Sequence, residues 1–293
     1  MMKSRFLKGI YILVIIILGF FIVQLGTGNF KPVSRNPVDL SLAGDTVSVL
    51  SVGQADSALI SSGGRYCLID AGTTDSGHTD VVTYLNNAKV SEIELVVITH
   101  FHTDHTSELL DVMDNFKIKT IVIPNLSVEN TPTNAFFTAF LDRVERYGIS
   151  LKPAEKGDVY TVGSGTLTIL DDTYNDLTVN DTSVATLFAQ GDFAYLNTGD
   201  GEAEYEQRLL GVFDRKVTLF TAGHHGSSTS NTEQFIRTIS PDYIAISAGK
   251  DNEYGHPHSA VTKLFKAQGI SYSTTFDGGT LIYSITDKKP ITY

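Results

Sequence analysis

Thr99-His100-Phe101-His102-Thr103-Asp104-His105 constrains this chain more than any other stretch. Three imidazoles and a carboxylate fall within six residues, straight after the apolar run Leu95-Val96-Val97-Ile98. Such a run reads as a buried strand, so the polar cluster must stand at a strand end, where loops leave the core and line a pocket. His100 and His102 are two apart, and extended backbone turns both rings to one side, as two nitrogen ligands of one divalent cation require. Asp104 and His105 come next, at the turn into the following helix. They can offer a hard oxygen and a further nitrogen to a second cation nearby.

A two-metal centre also needs an anion between the cations and ligands from elsewhere in the chain. Leu196-Asn197-Thr198-Gly199-Asp200 ends another apolar run in Gly-Asp, which suits a bridging carboxylate. Gly223-His224-His225-Gly226-Ser227-Ser228 places two imidazoles on a glycine-flanked loop, and Gly255-His256-Pro257-His258 supplies two more. Together these segments hold seven of the chain's eight histidines; the remaining one, His78, reads as a lone loop residue. Of the adjacent pair, only one readily faces a common centre. His256 can hold a substrate or shape its Pro-flanked turn, His258 reads as a helix start, and the Ser227 and Ser228 hydroxyls read as backbone caps.

Around these motifs, short β-rich runs alternate with helical stretches, without internal repeats. Strands are expected over Thr46–Ser51, Ser57–Ile60, Tyr66–Ile69, Leu95–Ile98, Thr120–Ile123 and Leu167–Leu170. Further strands are expected over Val184–Ala189, Phe193–Asn197, Val217–Thr221, Tyr243–Ser247 and Thr280–Tyr283. Helices are expected over Thr79–Asn87, Ser107–Asn115, Asn134–Tyr147, Glu202–Leu210, Asn231–Ile239 and Ser259–Gln268. Strand pairs with interspersed helices in both halves suit a four-layer α/β arrangement better than one doubly wound sheet. The 293 residues, 42% hydrophobic, suffice for a sizeable core. A single cysteine, Cys67, excludes an internal disulfide and a Cys-rich metal knuckle; its apolar neighbours make it a packing residue.

The N-terminus is a different kind of sequence. Gly9 to Leu25 is almost wholly apolar, and the only charged residues before it are the basic Lys3, Arg5 and Lys8, as in a signal peptide or a membrane anchor. No clear small-x-small cleavage site comes after it, which favours an uncleaved anchor, and the positive-inside rule then leaves the remainder outside the cytoplasm. Residues 1–28 are expected to form this anchor or signal segment, 29–44 a linker, and 45–293 one folded domain. Of the 22 basic and 33 acidic residues, five basic and no acidic ones lie within the first 35, so the rest carries a formal charge of −16. A domain so acidic repels a long polyanion over most of its surface, so any nucleic acid or teichoic acid must be gripped locally.

Val52-Gly53-Gln54-Ala55-Asp56-Ser57-Ala58-Leu59-Ile60 and Leu68-Ile69-Asp70-Ala71-Gly72 open a series. It runs on through Asn180-Asp181-Thr182-Ser183-Val184, Thr198-Gly199-Asp200, His224-His225-Gly226-Ser227 and Tyr254-Gly255-His256-Pro257. With His100, His102, Asp104 and His105 as the His-x-His-x-Asp-His signature, the series resembles the metallo-β-lactamase fold superfamily. Within it, the resemblance is greatest to the metallo-hydrolase domain of ComEC-type competence DNA-uptake proteins and to phosphorylcholine esterases, and it covers about Asp45 to Tyr283. It implies a four-layer αββα sandwich and two divalent ions, zinc or manganese. It also implies that His100 and His102 bind one ion, that Asp104, His105 and His225 bind the other, and that Asp200 bridges them. Asp56 and Asp70 match positions that buttress the ligands. His224 and His256 are left to touch substrate or protonate a leaving group. The superfamily's further histidine between the first motif and Thr198-Gly199-Asp200 is absent here, and Asn180 or Ser183 occupies that neighbourhood. Ala55 and Thr106-Ser107 replace customary glycines without removing a ligand.

Two cations sharing a carboxylate bring water within reach of deprotonation near neutral pH, so hydrolysis is the expected chemistry and Asp104 can orient the hydroxide. The ComEC-like segments point to a phosphodiester, in DNA, a nucleotide or a teichoic-type polymer, with a DNA-uptake channel as a partner. β-Lactam or thioester hydrolysis shares the fold, and a non-catalytic metal-binding module of an uptake or envelope system is the reading from another class.

Overall fold

Alternation of apolar residues with a period of two makes strands out of the short β-rich runs, and burial on both faces makes sheets out of the strands. The computed structural model describes residues 44–73, 78–127, 131–171, 178–213 and 215–291. The expected anchor over 1–28, and all of the linker but residue 44, lie outside the described residues. Among the described residues no helix is long and apolar enough to cross a membrane.

In chain order the strands are β1 (Thr46–Val49), β2 (Ala58–Ser62), β3 (Arg65–Ile69), β4 (Glu92–Val97), β5 (Lys117–Ile123), β6 (Ser150–Pro153), β7 (Val159–Val162) and β8 (Gly165–Ile169). Next come β9 (Thr186–Gln190), β10 (Phe193–Asn197), β11 (Leu219–Thr221), β12 (Tyr243–Ile246), β13 (Ser271–Thr274), β14 (Leu281–Ser284) and β15 (Lys289–Pro290). The helices are α1 (Val81–Asn87), α2 (Thr103–Thr106), α3 (Leu109–Asn115), α4 (Ala135–Tyr147), α5 (Ala203–Leu209), α6 (Glu233–Ile239), α7 (Ser259–Ala267) and α8 (Thr275–Gly278). The helix expected over Ser107–Asn115 appears as α3, starting at Leu109, and is preceded by the short α2, which is wound from the histidine motif itself. Its expected neighbour over Thr79–Asn87 starts at Val81, because Asp80 stays extended and accepts from Thr83 N (2.8 Å) as its N-cap.

One sheet has eight strands in the order β15-β14-β1-β2-β3-β4-β5-β6 and the other seven in the order β13-β12-β11-β10-β9-β8-β7. Each is antiparallel on one side and parallel on the other. In the first sheet, β1, β2 and β3 run antiparallel, and β3 through β6 run parallel. In the second, β7 through β10 are antiparallel, and β10 through β13 parallel. The parallel halves place helical crossovers on the outer faces.

The alternation shows which residue faces which layer. Phe193 and Tyr195 of β10 join Val47, Val49, Cys67, Ile69, Leu95 and Val97 in the core between the sheets. Ala194 and Leu196 face the other way, packing with Tyr205, Phe235, Ile236 and Phe265 of the helices outside the second sheet. Cys67 is therefore a core residue, and burial pushes its thiol pKa far up. Helix, sheet, sheet and helix give the four layers expected. At the end of both sheets remote from Asp70 and Asp200, Asp45 accepts from Gly63 N (2.8 Å) and Gln190 Nε2 (2.7 Å). There Ser62 Oγ donates to Gln190 Oε1 (2.7 Å) and accepts from Ser164 N (2.9 Å), which ties turns of the two sheets together.

Candidate metal centre

The parallel strands of both sheets end at one rim, and the histidine and aspartate motifs begin where those strands stop. His100 leaves β4, Asp200 leaves β10, and His224 and His225 leave β11. Thr198-Gly199 turns so tightly that a Cβ on Gly199, at φ +53, would sit 2.8 Å from Ser183 Oγ. Only glycine permits that approach. Asn197 Oδ1 accepts from Gly199 N (2.8 Å) and Ser183 Oγ from Asp200 N (3.1 Å), so the Asp200 backbone is fixed from both sides.

Two groups of ligand atoms result, with Asp200 in both. Asp104, His105, Asp200 and His225 form one, and His100, His102 and Asp200 the other, the atoms of each lying within 4.8 Å of one another. His105 Nε2 is 3.3 Å from Asp200 Oδ1, and His225 Nε2 is 3.2 Å from Asp104 Oδ2. His100 Nε2 lies 3.0 Å from His102 Nδ1 and 3.8 Å from Asp200 Oδ2. The hydrogen bonds behind the rings decide what the rings present. His105 Nδ1 donates to Asp70 Oδ2 (2.7 Å) and His225 Nδ1 to the Ser247 carbonyl (3.0 Å), so each turns an Nε2 lone pair inward.

Inside the cluster, His105 Nε2 and Asp200 Oδ1 are buried and find no hydrogen bond. Orphaned acceptors facing each other in a dry site call for a positive charge. Without a cation, protons supply it. His105 is held well above the usual histidine range, the charges of Asp200 and Asp70 outweighing burial. For His225 burial opposes, but Asp200 and the hydrogen bond to Asp104 push it up to about 9. Asp200 is held well below the carboxylate range, His105 and His225 outweighing its burial. His100 goes the other way, lowered by burial and by the charge of His105. The donor set of imidazole nitrogens and carboxylate oxygens suits a divalent cation, which would take the place of those protons.

The other expected site residues divide into those that support the ligands and those that stay apart from them. Asp70 is pinned by Thr99, whose N (2.8 Å) and Oγ1 (2.7 Å) both donate to it, and it passes this order to His105. Asp56 hydrogen-bonds to no histidine: its two carboxylate oxygens are buried without a hydrogen bond, and burial, outweighing the nearby charges of His225 and His105, pushes its pKa up to about 7. Its backbone does the holding, N donating to the Asp104 carbonyl (3.1 Å) and O accepting from Gly72 N (2.9 Å). Asn180 and Ser183 stay out of both ligand groups; Asn180 Nδ2 donates to Glu202 Oε1 (3.2 Å).

The adjacent histidines behave differently from expectation. His224 and His225 both take left-handed backbone, φ 50 and 55, and this curls the chain so that both rings reach Asp200. His224 Nε2 is 3.5 Å and His225 Nε2 3.8 Å from Asp200 Oδ2. Two consecutive non-glycine residues in that conformation cost about 1–2 kcal/mol each, and buried side chains hold the loop against it. Asn231 accepts from Gly223 N (3.1 Å) and donates to the carbonyls of Gly223 (2.9 Å) and Ser227 (3.0 Å). Glu206 then accepts from the N–H of Asn231 (2.6 Å) and Thr232 (2.8 Å).

His256 completes the rim. Its ring stacks between those of His225 (6.1 Å between centroids) and Tyr254 (5.7 Å). Burial, then the charges of His225 and His224, bring its pKa down to about 4. His258 ties loops together, accepting from Ser228 N (2.9 Å) and donating to the Tyr254 carbonyl (3.2 Å). His78 lies against Gly53 and belongs to neither ligand group. Asn231 and Glu206 were invisible in sequence because a brace carries no motif of its own. Asn231 opens an expected helix, where a polar residue reads as an ordinary cap, and Glu206 lies in the middle of another, where it reads as an ordinary helix former.

Residues 50–250 match the sequence model of the metallo-beta-lactamase superfamily. Among curated proteins, ComE operon protein 3 of Bacillus subtilis (strain 168) is 29% identical over 257 residues, covering 81% of this chain and 32% of that protein. Competence protein ComA of Neisseria gonorrhoeae is 28% identical over 247 residues, with 82% and 32% covered. The chain thus spans about a third of the length of the curated relatives it matches. Among solved structures, CmlA, a diiron beta-hydroxylase from Streptomyces venezuelae, superposes with a TM-score of 0.55 at 15% identity, covering 80% of this chain and 53% of that one. The metallo-beta-lactamase fold protein YhfI from Bacillus subtilis gives 0.54 at 12% identity, covering 81% and 99%. At such identities the likeness is one of fold.

Proposed function

The chain belongs to the metallo-β-lactamase superfamily, and from that premise we propose that it is a metal-dependent phosphodiesterase tethered to the outer face of the cell membrane. The apolar segment of residues 9–25 would be the tether. His100 and His102 would hold one divalent cation, Asp104, His105 and His225 another, and Asp200 would serve both, with zinc or manganese suited to the mixed nitrogen and oxygen set. When bound, such a pair supplies Lewis acidity that makes hydroxide available near neutral pH and offsets charge on the attacked group.

The protein's own residues do the rest. Asp70 and the Ser247 carbonyl keep the Nδ1–H of His105 and His225 occupied, so neither ring can rotate out of the site. In the metal-free protein Asp104 accepts from His225 Nε2 and is held well below the carboxylate range despite burial; with that proton replaced by a cation it would remain an ionised acceptor able to orient the attacking water. His224 and His256, outside the ligand groups, stand where a substrate's phosphoryl oxygens or leaving group would lie.

The observation that carries this reading is Asp200, nearly wholly buried, shared by both ligand groups and left with an orphaned oxygen. The competence proteins among the relatives support DNA, or another envelope phosphodiester, over a β-lactam, and a DNA-uptake channel as partner. The acidic surface favours a terminal or exposed phosphodiester over a long bound duplex. Hydrolysis of bis-p-nitrophenyl phosphate with added manganese or zinc is expected, with nitrocefin left intact. His102→Ala and Asp200→Ala should each abolish it. Cleavage of nitrocefin alone would make the protein a lactamase. No turnover of either would make it a binding module, and wild-type rates in either variant would reject the two-metal mechanism.

A further inference from the structure

We propose that Gln54 is a positioning residue that locks His256 as its Nε2–H tautomer, making Nε2 a hydrogen-bond donor to a phosphoryl oxygen of the substrate; the donor role rests on the phosphodiesterase reading, whereas the lock does not. Gln54 lies in the loop between β1 and β2, about two hundred residues from His256 in sequence, and its amide orientation is fixed by a partner that can only donate. Gly249 N–H donates to Gln54 Oε1 (3.0 Å), so the oxygen must be on that side. A Cβ on Gly249 would come within 2.8 Å of Gln54 N, so glycine is what lets the two loops approach this closely.

With the oxygen placed, Gln54 Nε2 faces His256 Nδ1 at 3.3 Å. An amide nitrogen donates and does not accept, so Nδ1 must present a lone pair and the ring proton must be on Nε2. The ring is held in this pairing by stacking between His225 and Tyr254. Asn252 clamps the residue's backbone, accepting from His256 N (3.0 Å) and donating to the His256 carbonyl (2.6 Å). No hydrogen bond from the described residues reaches Nε2, and the residue keeps 8% of its surface open.

The contrast with the neighbouring rings gives the lock its meaning. His105 and His225 have Nδ1–H donors behind them and turn lone pairs inward, as ligands must. His256 stacks on His225 yet carries the opposite tautomer, so its free nitrogen offers a proton where theirs offer electron pairs. It is thereby kept from competing for a cation and set to bind an anionic oxygen.

The test is the tautomer itself. The zinc-loaded full-length chain, with 15N-labelled histidine, should give a long-range proton–nitrogen correlation spectrum in which His256 has an unprotonated Nδ1 and a protonated Nε2. The His256→Gln spectrum assigns the signals. In Gln54→Glu a carboxylate replaces the amide donor, and the His256 proton should appear on Nδ1. Metal content should be unchanged, and kcat on bis-p-nitrophenyl phosphate should fall about 10- to 100-fold with little change in KM. A wild-type His256 protonated on Nδ1, or a Gln54→Glu spectrum identical to wild type, would overturn the lock. A Gln54→Glu kcat equal to wild type despite the changed tautomer would overturn the donor role. The expected spectra in a protein that cleaves no phosphodiester would uphold the lock while removing the function proposed above.

Discussion

Replacing Asp56 with Asn should change how the metal-free protein's stability responds to pH, by an amount the structure sets. Both Asp56 carboxylate oxygens are buried without a hydrogen bond, and burial lifts the pKa from 3.8 to about 7. Between those values the folded protein keeps a proton that the unfolded chain has released, so stability falls as pH rises through this window. The penalty is absent below pH 3.8 and complete above pH 7. At about 1.4 kcal/mol per pH unit, the interval comes to roughly 4 kcal/mol. Asn cannot ionise, and whatever its amide costs in that site does not vary with pH. The difference between Asp56→Asn and wild type therefore reports this titration together with its coupling to His225 and His105, and cancels the titrations that Asp56 does not touch. Urea unfolding in the presence of a chelator, at steps of about one pH unit from 4 to 7, measures it. The variant should gain about 4 kcal/mol on wild type across the series. A difference that stays flat with pH would refute the claim that Asp56 is buried unpaired in the metal-free state. Saturating zinc should shrink the gain, since a neighbouring cation favours the carboxylate.

Other substitutions test the braces around the site. The Tyr205 hydroxyl donates to the Ser183 carbonyl (2.5 Å) and accepts from Ala185 N (2.8 Å). Tyr205→Phe should therefore cost about 1–3 kcal/mol by urea denaturation, because two buried backbone groups lose their partner. Asn231, at φ 61, holds the His224-His225 loop through three hydrogen bonds. Asn231→Ala should weaken zinc binding, measured by competition with a chromogenic chelator, and destabilise the fold by about 3 kcal/mol or more. Asn231→Gly should recover about 1 kcal/mol of that, since glycine relieves the left-handed backbone without restoring the hydrogen bonds. Equal stability in the two variants would remove the backbone part of the explanation.

Much of the architecture was legible in sequence, and the illegible remainder has a common cause. The strand over Phe193–Asn197 appears where its continuous apolar run places it, because both of its faces are buried. The four strands that the sequence pattern does not announce are Ser150–Pro153, Val159–Val162, Ser271–Thr274 and Lys289–Pro290, and they are the four edges of the two sheets. An edge strand packs on one side only, and all four carry exposed residues, so the apolar alternation fades there. At the candidate centre, the residues named from sequence do meet around Asp200, since histidines and aspartates at strand ends are conspicuous. Conformation was the hidden part. Nothing in His224-His225 announces that two successive left-handed residues will bring both rings to one carboxylate, and nothing in Asp56 announces that its backbone, not its carboxylate, supports the motif.

Whether Asp200 is shared by two cations is tested most directly by anomalous diffraction at the zinc edge, on crystals of protein purified with zinc. Two peaks are expected, one among His100, His102 and Asp200, the other among Asp104, His105, Asp200 and His225. A lone peak that leaves Asp200 uncoordinated, or zinc bound only elsewhere, would contradict the central claim.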